Sequence, residues 1–495
     1  MKRLVVATVA LLVAASCSGG SESGTTSTAI GATTSTVPGA TTSTPPTTST
    51  TVAALEPTYV IGAAGIGDDY YPALGNGGYD VEHYRLDLAY QRDGSVAASA
   101  MVRATALDDL ASFNLDFIGW DIDRLNVNGT PTPFDRYDGE LVVAPVELAS
   151  GDVFAVEIDY RGTPAPAVSA SMPFGIGWSS GPEGEQFVVA EPDAARSWFP
   201  SNDHPLDKAT FTIAVTVPDG FTAAANGELI GVAEADGTTT FQWSMDTPMA
   251  PYLATVVIGD DWAIVEDPVA SAEAGVTIRN VLPPDLADTP PAVLETTGRM
   301  IKVLESSFGP FPFDEYGIAV VGGFPAALEN QTLSVFGRPM VEAPYFEYVL
   351  VHELAHQWFG DSVSVGRWGD IWLNEGFATF AELLWIEEQY GSGAYREEIA
   401  NRIEAARVGG YGPPATPPPN DLFNSSVYQR GSFVLVALRD EVGDEAFFDT
   451  LRTYAQQFAN GNATTEDFIA VAEAKAGRNV DEVFDVWLYG QQVPA

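Results

Sequence analysis

The hydrophobic pattern of the chain changes its period once, and this change restricts the folds that the chain can adopt. From residue 80 to about 265, apolar and polar residues mostly alternate, as in the stretch Tyr84–Tyr90. Such alternation places one face of a β-strand against a core, and turn signals such as Asn128-Gly129 separate the runs. From about 285 onward, apolar residues recur at helical spacing. The pattern predicts an α+β protein, with a mostly antiparallel β domain over 57–265 followed by a mainly α-helical domain over 266–495.

The first 17 residues have the composition of a targeting segment. Lys2 and Arg3 are followed by the apolar run Leu4–Ala15 and then by Cys17, the only cysteine of the chain. A basic start and a short apolar run are typical of a secretory signal. The residues before Cys17 resemble a bacterial lipobox, in which the cysteine is lipidated and begins the mature protein. A plain secretory signal with an incidental cysteine is the alternative.

Residues 18–56 are rich in Ser, Thr, Gly and Pro and contain Thr-Thr-Ser-Thr four times. Such a segment buries too little apolar surface to offset its ordering entropy, so we predict a flexible tether. Together with lipidation at Cys17, the tether predicts a protein on the extracellular side of the bacterial membrane. The membrane is then contacted only through the lipid anchor.

The charge balance excludes one class of partner. The chain carries 23 Lys and Arg against 67 Asp and Glu, a formal net charge of −44. Binding to a phosphate backbone needs clustered positive charge, so we expect no nucleic acid partner.

Two of the four histidines in the chain fall within one five-residue window. His352 and His356 are four residues apart, so a helix presents both imidazoles on one face, where they can bind one Zn²⁺. Glu353 lies between them and can accept a proton from water that the metal activates. Eighteen residues separate His356 from Glu375, enough for a second helix, with Asp370 as its N-cap, to supply a third ligand. Three protein ligands leave one position of a single zinc ion open, as in catalytic zinc sites.

The sequence around these residues resembles a known family. HELAHQWFGD, which starts at His352, and WLNEGFATF, which starts at Trp372, are very similar to the zinc signature of the aminopeptidase-N-like family of gluzincin zinc metallopeptidases. Three further segments resemble other motifs of that family: Ala326–Asn330, Val427–Gly431 and the stretch from Ala195 to Ala209, which includes Lys208. The resemblance covers about residues 75–495 and implies a thermolysin-like zinc catalytic domain.

The resemblance implies roles for residues near the metal. Glu353 would act as general base, and Tyr428 would stabilise the tetrahedral oxyanion beside the metal. A core aromatic side chain in a helix is the alternative for Tyr428. Glu382, seven residues after Glu375, would orient a zinc-binding histidine. A salt-bridged helix residue is the alternative for Glu382.

The resemblance also implies a set of substrate-binding residues. Glu329 would bind the free α-ammonium group of a peptide, and the strand around it, with Ala326 and Ala327, would pair with the peptide backbone. A fixed carboxylate favours a charged N-terminus because the carboxylate is left unpaired when the substrate lacks one. Glu191 would add a second carboxylate. It lies five residues before Arg196, which is the spacing that the family shows between an acidic or amide residue of its N-terminal domain and a following arginine. A solvated loop carboxylate is the alternative for Glu191.

The chain departs from the family pattern at three positions. Ala326 stands where the family usually has Gly, Leu328 stands where it has Met, and Arg430 replaces the usual Lys. We expect the methyl group of Ala326 to tighten the approach of the substrate. Larger members continue with a β-sandwich and a helical C-terminal domain, so a short bacterial lipoprotein form without them is expected to have a more open cleft.

These features together predict a zinc-dependent aminopeptidase that acts on extracellular peptides with a free N-terminus. A zinc endopeptidase of thermolysin type is one alternative, and a non-catalytic, zinc-stabilised surface binding protein is the other. Equal cleavage of free and blocked peptides would favour the endopeptidase, and a lack of any activity would favour the binding protein.

Overall fold

The computed structural model describes residues 59–494. The signal segment, Cys17 and the tether up to residue 58 lie outside the described residues. The predictions of lipidation and of a flexible tether are therefore untested by the structure.

The first part of the described chain is β-rich, and the strand Tyr79–Tyr90 shows why. Its residues Tyr84, Leu86, Leu88 and Tyr90 are buried, while the residues between them are partly exposed. Among the described residues, this strand lies in an eight-stranded sheet with the order Glu228–Ala235, Thr238–Met249, Ala209–Pro218, Tyr79–Tyr90, Val96–Ala106, Val153–Gly162, Asp121–Val127 and Thr130–Pro131. The pairing of Tyr79–Tyr90 with Ala209–Pro218 is parallel, and the other pairings of this sheet are antiparallel.

Two smaller sheets complete this part within the described residues. One has the order Val60–Ile61, Leu110–Asp116, Glu140–Val143 and Phe134–Tyr137. The other has the order Gly177–Ser180, Gln186–Val189, Val256–Asp260 and Phe221–Ala225. The strand Gln186–Val189 leads directly into the segment that contains Glu191.

The second part opens with a mixed sheet and continues mainly as helices. The sheet has the order Ala263–Glu266, Thr277–Leu282, Ile318–Val321, Ser334–Gly337 and Ala327–Leu328, and Glu315–Tyr316 pairs with Thr277–Leu282. The described α-helices are Pro268–Ala274, Pro284–Ala287, Thr297–Phe308, Arg338–Val341, Phe346–His356, Trp372–Tyr390, Ser392–Gly409, Gly431–Val442, Asp444–Gln457, Thr465–Ala476 and Asp481–Trp487. The predicted fold class, a β-rich N-terminal domain followed by a helical domain, is confirmed.

Buried apolar side chains of the two parts form one continuous core. Lys208, just before the strand Ala209–Pro218, crosses between the parts: its Nζ donates to the carbonyl oxygens of Asp361 at 2.6 Å and Ser362 at 3.0 Å. The predicted boundary at residue 265 stays a prediction. Within residues 59–494, no helix combines the length and the apolar character that crossing a membrane requires.

Candidate metal centre

Both candidate histidines lie in the helix Phe346–His356, which we call the histidine helix. Their spacing puts the two rings on one face, with ring centroids 4.9 Å apart. Both side chains are buried. The histidine helix ends at His356, and the chain turns at Gly360, which has a φ of 131°.

Glu375 lies in the first turn of the helix Trp372–Tyr390, which we call the glutamate helix. Its Oε2 lies 3.2 Å from His352 Nε2 and 3.5 Å from His356 Nε2. The candidate ligand atoms of the three residues all lie within 4.8 Å of one another. The structure thus brings together the three side chains that the sequence predicted as metal ligands.

The predicted N-cap of the glutamate helix is wrong. A 3-10 turn, Trp368–Asp370, precedes the helix, and Ile371 occupies the cap position. The carboxylate of Asp370 instead accepts hydrogen bonds from Arg367 Nε at 2.7 Å and Thr465 Oγ1 at 2.6 Å. One nearby side chain and one distant side chain therefore bind the carboxylate that the local pattern assigned to the helix end.

The hydrogen bonds of the histidines suit a metal. His356 Nδ1 lies 3.1 Å from the carbonyl oxygen of Phe359, which can only accept, so Nδ1 carries the proton and Nε2 keeps a free lone pair. His352 Nδ1 lies 2.9 Å from Glu382 Oε1. Arg402 Nη2, at 2.8 Å, holds the other oxygen of Glu382. Carboxylates and carbonyls on Nδ1 are the usual partners of metal-binding histidines.

Two imidazole nitrogens and one carboxylate oxygen form a donor set that suits zinc. Burial would raise the pKa of Glu375, but the adjacent imidazoles of His352 and His356 lower it to about 2, so the carboxylate is ionised. The residues present therefore fit a bound Zn²⁺.

Glu353 lies beside the metal ligands and close to Glu329. Candidate ligand atoms of Glu353, Glu329 and His356 lie within 4.8 Å of one another. Burial raises the pKa of Glu353 to about 7, against the opposing effect of His352 and His356. A carboxyl group with such a pKa can both take up and release a proton near neutrality.

Glu329 follows a short edge strand. In the described residues, Ala327–Leu328 pairs antiparallel with Ser334–Gly337 on one side and ends the strand order of its sheet. The carbonyl oxygen of Ala326 accepts from Gly337 N at 2.8 Å. No other described strand pairs with the opposite edge of Ala327–Leu328, and an extended peptide could add to the sheet there.

Two buried carboxylate oxygens near Glu353 have no hydrogen-bond partner among the described residues: Glu329 Oε1 and Glu191 Oε1. Glu329 is 2% exposed and Glu191 is 4% exposed. Burial raises the pKa of Glu191 well above its usual range, and the charge of Glu329 adds to this effect. A positively charged partner would satisfy both groups.

Tyr428 lies in a single π-helical turn, Ser426–Arg430. Its ring stacks on that of His352, with centroids 6.0 Å apart and an interplanar angle of 22°. Burial raises the pKa of Tyr428 well above its usual range, and the charge of Glu375 adds to this, so the hydroxyl remains a donor. Single π-helical turns occur frequently at functional sites.

Comparison with known proteins decides the family. Residues 81–253 match the peptidase M1 N-terminal domain, and residues 292–487 match the peptidase family M1 domain. A crystal structure of an M1 zinc metallopeptidase mutant from Deinococcus radiodurans, bound to a Tyr-Ser-Ala substrate, is 30% identical with a TM-score of 0.80, and the match covers 87% of this chain and 99% of that one. The chain belongs to the peptidase M1 family.

A further solved structure and a curated relative show how far the similarity extends. A two-domain M1 zinc metallopeptidase mutant bound to L-arginine is 30% identical, with a TM-score of 0.79 and coverage of 87% of this chain and 99% of that one. Aminopeptidase B of Rattus norvegicus is 30% identical over 68% of this chain. The chain spans about half of that relative, 53% of its length.

Two departures from the family pattern, Arg430 and Ala326, are buried in this M1 chain. Arg430, fully buried, donates to the carbonyl oxygens of Tyr411, Gly412, Trp487 and Gly490 at 2.7–3.1 Å. It thereby ties the end of the π-helical turn to two other segments. Ala326, in place of the usual Gly, is buried next to the edge strand.

Sequence reasoning missed some residues that shape the site of this M1 peptidase. Arg402, which holds Glu382, follows Glu398 by one helical turn and gives no sign of its distant partner. Asp361 is buried with both carboxylate oxygens unpartnered among the described residues, and Lys208 binds its carbonyl oxygen. Lys208 belonged to a segment that resembled the family, but no pattern linked it to Asp361.

Proposed function

We propose that the protein is a zinc aminopeptidase that removes single residues from the free N-termini of peptides. The observation that carries this proposal is the pair of buried, unpartnered oxygens of Glu329 and Glu191 at the end of a free strand edge, beside the candidate metal ligands. An α-ammonium group would pair with them, and a blocked N-terminus would leave them buried without a partner.

The residues divide the chemistry among themselves. A zinc ion held by His352, His356 and Glu375 would supply Lewis acidity that favours ionisation of water and polarises the scissile carbonyl. Glu353 takes a proton from the attacking water as the new C–O bond forms, and passes it to the amine as the C–N bond breaks. Tyr428 donates a hydrogen bond to the oxyanion that forms on the carbonyl carbon.

Positioning residues complete the proposed site. Glu382, held by Arg402, accepts from His352 Nδ1 and fixes the ring orientation. The edge strand with Ala326 and Ala327 aligns the peptide backbone, so that the first peptide bond rather than a later one meets Glu353.

The comparisons support this assignment. The name of the rat relative is that of an aminopeptidase, and the Deinococcus radiodurans structure holds a peptide described as its substrate. The structure bound to L-arginine holds a single amino acid, which is the chemical class of product that an aminopeptidase releases.

The test compares an alanyl anilide that has a free amine with its N-acetylated form. We expect kcat/KM to be about 100-fold higher for the free amine, because an unpaired buried charge costs roughly 2–3 kcal/mol. Glu329→Gln should remove most of this preference. Glu342→Gln, at an exposed carboxylate just after the helix Arg338–Val341, should keep it. Equal cleavage of both substrates by the wild type would contradict the proposal and favour an endopeptidase.

We also propose that a lipid on Cys17 holds the protein at the extracellular side of the bacterial membrane. The support is the sequence of residues 1–17 and the tether-like composition of 18–56. Cys17→Ala should move the protein from the membrane fraction to the soluble fraction, while Ser18→Ala should not. A Cys17→Ala variant that stays with the membrane would overturn this part.

A further inference from the structure

A short segment of the chain, Asp68–Tyr71, lies far in sequence from the metal ligands but contacts the structure that carries them. We call this segment the bracket. Asp68 is buried, and its carboxylate accepts four hydrogen bonds. Its Oδ1 accepts from Tyr70 N at 2.7 Å and Tyr71 N at 3.0 Å, and its Oδ2 accepts from Trp368 N at 2.8 Å and His204 Nε2 at 3.3 Å.

The bond to Trp368 links the bracket to the glutamate helix. Trp368 begins the 3-10 turn that runs into this helix, and Glu375 lies seven residues further on. The first N–H groups of a helical segment lack partners within the segment, so an outside acceptor fixes where the segment starts. Asp68 supplies that acceptor from 300 residues away.

His204 orients the carboxylate, and its tautomer follows from its other contact. Leu206 N donates to His204 Nδ1 at 3.1 Å, so Nδ1 holds a lone pair and the proton lies on Nε2. Nε2–H therefore donates to Asp68 Oδ2. The side chains of His204 and Asp68 are 0% and 2% exposed, so water competes little for this bond.

The tyrosines of the bracket bind the segment that precedes Tyr428. Tyr70 Oη donates to the carbonyl oxygen of Pro417 at 2.8 Å. Ser171 Oγ donates to the carbonyl oxygen of Pro419 at 2.9 Å and is 2.6 Å from Tyr71 Oη, which therefore donates to it. The Tyr71 ring also packs edge-to-face on Trp368, with centroids 5.8 Å apart.

We propose that the bracket positions the catalytic centre, with Asp68 as a positioning residue that sets the start of the glutamate helix and so the place of Glu375. Tyr70 and, through Ser171, Tyr71 hold the segment with Pro417 and Pro419, which precedes the π-helical turn of Tyr428. One segment thereby fixes the relative position of a metal ligand and a catalytic hydroxyl. The expected change in kcat rests on the proposed function, but the expected change in zinc release does not.

The first test uses Asp68→Asn in the full chain. The amide keeps the shape but replaces one acceptor oxygen with a donor that faces N–H groups. We expect kcat to fall about 10-fold or more, while KM changes less than about 3-fold, because a small misplacement of catalytic groups slows the reaction by about this much. We expect a chelator to remove zinc about 10-fold faster, because removing a residue that orients a metal ligand weakens metal binding by about this much. The zinc measurement needs no substrate, so it separates failure of this inference from failure of the aminopeptidase proposal.

The matched control is Asp267→Asn. Asp267 also accepts two backbone N–H bonds, from Val269 at 3.0 Å and Ala270 at 2.9 Å, at the start of a helix away from the metal ligands. The Asp267→Asn variant should have lower thermal stability, while its kcat and its rate of zinc release stay as in the wild type. If Asp68→Asn behaves as this control does, with kcat and zinc release within twofold of wild type, the positioning role is overturned.

A second pair of variants keeps the proposal testable if Asp68→Asn fails to fold. His204→Gln retains an N–H donor toward Asp68, and His204→Leu removes it. We expect His204→Leu to speed zinc release and lower kcat, and His204→Gln to restore both toward wild type. Equal zinc release and equal kcat in the two variants would contradict the inference.

Discussion

Two imidazoles in a buried helix can bind a cation only when their other nitrogens have partners that fix the tautomer. The carbonyl of Phe359 does this for His356, and Glu382 does it for His352. Glu353, on the same helix, is not one of the three candidate ligands His352, His356 and Glu375, and its carboxylate lies within 4.8 Å of candidate ligand atoms of Glu329 and His356. At the residue scale, the side chains thus separate into those that suit a metal and one that suits proton transfer.

Glu353→Gln tests this separation. The amide cannot take a proton from water, so we expect kcat to fall by about 10²–10⁴-fold. Zinc content should stay at one per chain, because the three candidate ligands are untouched. The measurement is kcat on an alanyl anilide together with metal analysis of the purified variant.

The control for this variant is Glu347→Gln on the same helix. Glu347 Oε1 accepts from Trp385 Nε1 at 2.9 Å, which a glutamine oxygen can also do, so activity should persist. Wild-type turnover by Glu353→Gln, or loss of its zinc, would show that the assigned role is wrong.

Two helices of the site meet without side chains between them. A Cβ at Gly376 would lie 2.7 Å from the carbonyl carbon of Gly431, and a Cβ at Gly431 would lie 2.9 Å from Gly376 Cα. Gly376 follows Glu375, and Gly431 follows Arg430 at the end of the π-helical turn. At the element scale, this backbone contact sets the distance between the metal carboxylate and Tyr428.

Gly431→Ala should force these helices apart by a few tenths of an ångström or more. We expect lower thermal stability and a fall in kcat of about 10-fold, since small misplacements of catalytic groups are costly. Gly393→Ala is the control, because a Cβ there meets nothing within 4 Å in the helix Ser392–Gly409. That variant should be as stable as wild type or about 0.5–1 kcal/mol more stable. Equal kcat in both variants would argue against the contact as a spacer.

At the scale of the whole molecule, one buried acidic group in the β-rich part, Asp116, makes the folding stability depend on pH. Asp116 is fully buried, and its Oδ2 accepts from Asp203 N at 2.9 Å, Gly75 N at 3.1 Å and Asn76 Nδ2 at 3.1 Å. Its Oδ1 has no partner among the described residues. Burial, together with the nearby charge of Glu140, raises the pKa of Asp116 to about 7.

This raised pKa predicts how stability depends on pH. The folded state holds the proton more tightly than the unfolded state, so the stabilisation is full below about pH 4 and is lost as pH rises through about 7. We expect the free energy of unfolding in urea to decrease between pH 5.5 and 8.5. Asp116→Asn should weaken that decrease, because the amide stays neutral.

Asp108→Asn, at an exposed aspartate, is the control for the change in net charge. It should keep the wild-type pH dependence of stability. If Asp116→Asn also keeps it, Asp116 does not titrate in this range.

Sequence periodicity was enough for the features that depend on local geometry. The alternation in Tyr84–Tyr90 predicted a half-buried strand, and the four-residue spacing of His352 and His356 predicted one helix face. The 18 residues between His356 and Glu375 predicted the third ligand. The family resemblance, which is confirmed, then indicated Glu329 and the other candidate residues, whose roles stay predictions. The N-cap at Asp370 failed because Arg367 and Thr465, one local and one distant, take its carboxylate.

The sequence by itself determined the elements, the family and the residue types of a zinc site, because these follow from short-range spacing along one helix or strand. Only the tertiary structure decided which charges meet: Arg402 with Glu382, Lys208 with the carbonyl of Asp361, and Asp68 with the N–H of Trp368. These partners come from segments up to 300 residues apart, and their contact depends on how the whole core packs, which no local pattern encodes.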